Sequence, residues 1–253
     1  MARPALMAAN WKMYKTVLES RAYARELLRR AEELPGLLPE QVIFPTFVAL
    51  FEVARTLSEG GLKAGAQNLD LGDEGARTGA VSASLLAAAG ASHVIVGHSE
   101  RRSLFGENDA LVGQKTAAAL ANHLTPIVCV GESRAEREDG RTDEVIGRQI
   151  AAVVPAEATA DWVVAYEPVW AIGTGLVAEP REAGRVAAVI RAAVAQRQPQ
   201  SADNLRILYG GSVNRSNIRD FAAVPDLDGA LVGGASLELG HWIELCRAWS
   251  EVR

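Results

Sequence analysis

The sequence predicts an α/β protein: a closed (β/α)8 barrel, one domain over residues 1–253. Its length is that of one α/β barrel. Short apolar runs also recur along the chain, each followed by glycine, a turn residue or a functional polar group. These runs are Ala5–Ala9, Val42–Phe44, Lys63–Ala66, His93–Val96, Pro126–Val130, Val163–Tyr166, Arg206–Tyr209 and Gly229–Val232. Most are separated by longer stretches of helical period. Continuously apolar strands alternating with amphipathic helices imply a parallel sheet covered by helices. Eight such units suit a closed barrel better than an open doubly wound sheet of about five or six strands.

The helical stretches show their core faces directly. Ala24, Leu27, Leu28, Ala31 and Leu34 fall on one face, and Ala183, Val186, Ala187, Ile190 and Val194 on another. The longest aperiodic polar segment, Gln67 to Val81, is rich in Gly and Asp. A loop of that length either has a task or is a solvated connection. No repeat, low-complexity tract or linker divides the chain.

Hydrophobic residues make up 49% of the chain and charged residues 23%, an ordinary globular balance. The net charge of −5 argues against nucleic acid or an anionic membrane surface as a partner. Ala5–Ala9 is too short for a signal-peptide core, and no run approaches membrane-spanning length. Cys129 and Cys246 form no metal or redox motif, so a reducing cytoplasm is the expected location. Of the 26 basic residues only Lys12, Lys15, Lys63 and Lys115 are lysine, which makes each of them conspicuous.

In such a barrel, function sits where strands end and the following loops begin. Glu167 closes an apolar run and precedes Pro168, which pushes it toward extended geometry. It reads either as a salt-bridge partner or as a general base, and apolar neighbours favour the base. His98 follows Ile95-Val96-Gly97 at another strand end, with a helix start just beyond it. The positive potential of a helix N-terminus favours a neutral imidazole there. The histidines, at 93, 98, 123 and 241, do not cluster with carboxylates at metal-ligand spacing, so no metal is expected. Lys12 ends the first run, either as a fixed cation or, if buried, as a Schiff-base amine. Gly210-Gly211-Ser212-Val213 and Gly233-Gly234 follow the seventh and eighth runs, where these barrels bind phosphate on backbone N–H groups. Gly173-Thr174-Gly175-Leu176-Val177-Ala178 nominally fits a dinucleotide fingerprint. Its separation from the strand, and the missing downstream acid, favour a lid flanked by Pro168-Val169-Trp170 and Leu176-Val177-Ala178.

Six segments carry a resemblance that runs nearly end to end. They are Asn10-Trp11-Lys12-Met13, Val96 to Arg102, Cys129-Val130-Gly131-Glu132, Ala165 to Gly175, Tyr209 to Val213 and Leu231 to Leu237. In content and order the chain resembles the triosephosphate isomerase family, which implies the closed TIM barrel. The resemblance further implies cofactor-free interconversion of dihydroxyacetone phosphate and D-glyceraldehyde 3-phosphate in glycolysis and gluconeogenesis. Glu167 would be the base, neutral His98 the electrophile, and Lys12 a cation beside it, as in the handling of this chemistry generally described for the family. Asn10 would orient Lys12, and Ser99 and Glu100 would belong to the same polar cluster. Gly173, Ser212, Gly233 and Gly234 would hold the phosphate. Closure of Pro168–Ala178 would exclude water, and Ile172 and Leu231 would press on Glu167. A homodimer is implied, formed through the 67–82 loop with Thr78 near its tip and Arg101 in the interface.

Three positions depart from the family pattern. Tyr14 stands where Asn is usual, and Ala80 where many relatives carry a Glu that pairs with the neighbour's counterpart of Arg101. Leu176-Val177 replaces the common Lys-Thr of the lid hinge. Two rival readings are a phosphate-binding barrel lyase or aldolase with a Schiff base on Lys12, and a non-catalytic binding protein that keeps the barrel. Borohydride trapping discriminates the first, and ligand binding without turnover the second.

Overall fold

In a computed structural model, which describes residues 3–34, 38–155, 161–172 and 176–253, the strands close on themselves. They are β1 (Leu6–Asn10), β2 (Glu40–Phe44), β3 (Lys63–Ala66), β4 (His93–Val96), β5 (Thr125–Val130), β6 (Val163–Tyr166), β7 (Arg206–Tyr209) and β8 (Gly229–Val232). Each pairs in parallel with its sequence neighbours, and β8 pairs with β1, so the expected closed barrel is present. The ends differ slightly from the apolar runs. The first strand is shifted by one residue, β2 begins at polar Glu40 and β5 at Thr125, because barrel pairing rather than hydropathy sets where a strand starts. Leu6, for example, lies opposite Glu40 on one side and Gly229 on the other.

Helices cover the outside: α1 (Val17–Glu32), α2 (Phe47–Ser58), α3 (Ala83–Ala88), α4 (Ser99–Phe105), α5 (Asp109–Ala121), α6 (Arg134–Glu138), α7 (Thr142–Val153), α8 (Pro180–Ala195), α9 (Pro199–Ala202), α10 (Ile218–Ala222) and α11 (Leu239–Ser250). Local chemistry fixes several starts. Thr16 with Glu19, and Ser133 with Glu136, form capping boxes for α1 and α6. Asn108 accepts the Leu111 N–H at the start of α5, and Pro180 opens α8. Leu34 falls beyond the C-cap Glu33 of α1, so the apolar face read through it overshoots the helix.

Two apolar layers result. Leu6, Ala8, Val42, Phe44, Ile95, Ile127, Cys129, Val163, Ala165, Leu208 and Leu231 fill the barrel, while alternate strand residues pack outward against the helices. Gly65 is needed inside: a Cβ there would lie 2.3 Å from the Phe44 ring. At the N-terminal end of the barrel Glu40 pairs with Lys63 at 2.7 Å and Arg206 at 2.6 Å, and Thr125 donates to Asp161 at 2.9 Å. The opposite end carries the candidate site. No helix among the described residues is long and apolar enough to cross a membrane.

Candidate active site

Strand ends bring the predicted polar residues to one cavity of about 260 Å³. Its walls include Asn10, Lys12, His98, Glu167, Ile172, Ser212, Leu231, Gly233 and Gly234, contributed by β1, β4, β6, β7, β8 and their loops. Glu167 is 2% exposed, and both its oxygens are engaged. Oε2 accepts the Ser99 backbone N–H at 2.8 Å, and Oε1 lies 3.1 Å from His98 Nε2. A buried carboxylate survives only with such partners.

His98 is itself the N-cap of α4. Its Nδ1 accepts the Glu100 backbone N–H at 3.2 Å. With Nδ1 used as an acceptor, Nε2 is the ring nitrogen left to donate, and it faces Glu167 and the cavity.

Lys12 adopts φ 50°, in the left-handed region, which costs a non-glycine residue about 1–2 kcal/mol. Asn10 Oδ1 accepts its N–H at 3.0 Å, and Gln67 Nε2 donates to its carbonyl at 2.8 Å and to that of Phe44 at 2.9 Å. These bonds hold the strained residue, and its Nζ reaches Glu100 Oε1 at 2.6 Å. Gln67 follows β3 directly and opens the long polar segment 67–81. Its grip on Lys12 depends on a backbone conformation that no sequence signal announces.

The glycines at the far end of the cavity are not equivalent. A Cβ on Gly210 would lie 2.8 Å from Glu167 Cγ, one on Gly211 would lie 2.3 Å from the Tyr209 hydroxyl, and one on Gly233 would lie 3.2 Å from Lys12 Cε. These three make room for the site's own side chains. Gly234 would meet nothing within 4 Å, so it leaves the cavity open.

The segment after β6 turns through a single 3-10 turn, Val169–Ala171. Trp170 Nε1 donates to Glu132 Oε1 at 2.9 Å, and Ser212 Oγ donates to the Ala171 carbonyl at 2.7 Å. Further along, Leu176 and Val177 are exposed and the Ala178 N–H reaches the Tyr209 hydroxyl at 3.4 Å. Gly173, expected to touch phosphate, lies outside the described residues. Glu132, Tyr209 and Tyr166 thus emerge as anchors of this segment, although the sequence reading assigned them no such task.

Thr78 and Arg101 stay away from the cavity. Thr78 is exposed, while Arg101 pairs with Glu107 at 2.8 Å and stacks over Phe105. Glu107 also pairs with Lys115, at 2.7 Å, so one carboxylate serves both cations. Cys129 and Cys246 are both buried. Burial, and next the Glu167 carboxylate, push the Cys129 thiol well up, and burial does the same for Cys246. No group of three or more His, Cys, Asp or Glu among the described residues is placed to hold a metal ion.

Fold and site together define an α/β-barrel protein in which a carboxylate, an imidazole and an ammonium converge on one glycine-rimmed cavity. Comparison narrows the class. Residues 5–249 match the family model described as triosephosphate isomerase. The chain is 49% identical over 249 residues to the triosephosphate isomerase of Trichlorobacter lovleyi, covering 97% of this chain and 98% of that one. It is 46% identical over 256 residues to that of Symbiobacterium thermophilum, covering 99% of each, and 45% identical over 250 residues to that of Thermus thermophilus, covering 97% and 98%. The chain belongs to the triosephosphate isomerase family.

Proposed function

We propose that this chain interconverts dihydroxyacetone phosphate and D-glyceraldehyde 3-phosphate, the aldose–ketose step shared by glycolysis and gluconeogenesis, with no cofactor. The observation that carries the reading is the Glu167 carboxylate held between Ser99 and His98 Nε2 at the wall of the glycine-rimmed cavity. Substrate displaces those contacts and the carboxylate turns to the carbon beside the carbonyl. Glu167 removes that proton, and the electrons move onto the carbonyl oxygen to give an enediolate. His98 donates its Nε2 proton to that oxygen and recovers one from the neighbouring hydroxyl. Glu167 then returns its proton to the adjacent carbon, so acid and base both end as they began. Lys12 supplies a fixed positive charge where negative charge develops.

Asn10 and Glu100 position Lys12, and Ile172 and Leu231 press apolar surface on the base. The phosphate is assigned to Ser212, Gly233 and Gly234, and the resemblance adds Gly173, which lies outside the described residues. Pro168–Ala178 closes as a lid, with Pro168, Val169 and Trp170 at one hinge and Leu176, Val177 and Ala178 at the other. Closure excludes water and keeps the enediolate from expelling phosphate.

Two chains associate through the loops and helices that follow β1 to β4. Met13, Tyr14, Leu18, Val48, Phe51, Leu85, Leu104 and Phe105 are exposed there, on consecutive parts of the barrel rim. Apolar surface concentrated in this way marks an interface. Thr78 on the 67–82 loop and Arg101 belong to it. A cytoplasmic location suits the two free thiols.

Turnover in heavy water tests the chemistry. Some of the product carries one deuterium on the carbon that accepts the proton, because Glu167 exchanges with solvent during the enediolate's life. Deuterium at that carbon supports proton transfer through an enediolate over hydride transfer, which would introduce none, and a borohydride-trapped adduct on Lys12 supports the Schiff-base rival.

A further inference from the structure

The short helix α6 carries a side chain that the chemistry above does not use. The Arg137 guanidinium lies over the indole of Trp170, 4.4 Å from the ring centroid. Its NH1 comes within 3.6 Å of Glu132 Oε1 and 3.4 Å of Glu182 Oε1. Glu132 is fully buried, and besides the Trp170 N–H it accepts the Tyr166 hydroxyl at 3.2 Å. Glu182 lies in the first turn of α8, the helix that follows residue 178. One planar cation therefore touches the element entering the 168–178 segment and the element leaving it. Arginine suits this place because its flat face can stack on an indole while its edge addresses carboxylates, which a lysine ammonium cannot do together.

We propose that Arg137 is a positioning residue that ties the two ends of the lid together, fixing Trp170 relative to α8. The proposal rests on reading residues 168–178 as a lid. With its anchors tied, the lid moves between two defined positions. Without the tie, Trp170 samples other orientations, closure is less complete, and more of the enediolate loses phosphate before it is reprotonated.

The test uses the full chain with fluorinated tryptophan, the Trp170 fluorine resonance being assigned from Trp170→Phe. Arg137→Met, Arg137→Lys and Glu182→Gln are compared with wild type, free and titrated with inorganic phosphate. Arg137→Met should shift and broaden the Trp170 resonance of the free enzyme without lowering the melting temperature. In the same variant the phosphate released per isomerisation should rise about threefold to tenfold, the size of one partly desolvated cation–π contact. Arg137→Lys should leave most of that defect, and Glu182→Gln should reproduce it more weakly. A wild-type Trp170 resonance with wild-type partitioning in folded Arg137→Met overturns the proposal, and Arg137→Lys is read the same way if the methionine variant does not fold. The fluorine comparison needs no turnover. Absence of isomerisation by the wild-type enzyme therefore counts against the assigned reaction and not against the tie.

Discussion

Glu167 and His98 owe their properties to their immediate surroundings. The carboxylate is buried at the wall of a cavity that Ile172 and Leu231 also line, with Ser99 N–H and His98 Nε2 beside it, and the imidazole Nδ1 is occupied by one backbone N–H. A base so placed is sensitive to length. Glu167→Asp draws the carboxylate back by about one bond, and a misplacement of about 1 Å costs on the order of 100-fold. We expect kcat to fall by about that factor with an unchanged melting temperature; wild-type kcat would remove Glu167 from the base role. His98→Gln removes the Nε2–H donor and should slow turnover about 100-fold or more, within the range for a positioned acid–base group. The candidacy of Glu167, His98 and Lys12 was legible from strand-end position and residue type. The resemblance already implied that Asn10 orients Lys12; what could not be read was the strained φ of Lys12 and the bond from Gln67 that helps hold it, because that bond joins residues brought together only by the fold.

At the level of elements, alternation of apolar runs with amphipathic stretches was enough to place the eight strands within a residue or two. Closure itself hangs on positions that look unremarkable in sequence. Gly229 has φ +155°, and a Cβ there would stand 1.7 Å from the Leu6 carbonyl where β8 meets β1. Gly229→Ala should therefore destabilise the fold by about 3 kcal/mol, lowering the melting temperature by about 6–12 °C. A change below about 1 °C would show that the seam tolerates displacement. The nucleotide-like spacing of Gly173-Thr174-Gly175 is set aside by sequence context alone, since Pro168-Val169-Trp170 separate it from its strand run. The Trp170, Glu132 and Arg137 cluster was not legible, because an indole, a buried carboxylate and a guanidinium from three elements meet without any shared sequence period.

For the whole molecule, one buried imidazole on the barrel floor contributes to acid lability. Burial, the largest cause, holds His93 down to about 4, amid the opposing charges of Glu40, Lys63, Arg206 and Asp161. The unfolded chain titrates near 6.5 and so binds the proton first as pH falls. The stability due to neutral His93 is therefore complete above about pH 6.5 and lost as pH falls toward 4, by about 3 kcal/mol in all. Denaturant midpoints at pH 7 and pH 4 should converge in His93→Phe relative to wild type, and an equal pH slope in both would exclude this source. The apolar rim after β1 to β4 predicts association, so sedimentation at micromolar concentration should give twice the chain mass, and Phe105→Glu should shift it toward one; a single-chain mass for wild type would contradict the dimer. The central claim is tested most directly by isomerisation of glyceraldehyde 3-phosphate in a coupled assay, with EDTA present and no cofactor supplied to the isomerase. Rapid turnover is the predicted result, whereas well-folded protein that binds a phosphorylated ligand without turning it over would contradict the account.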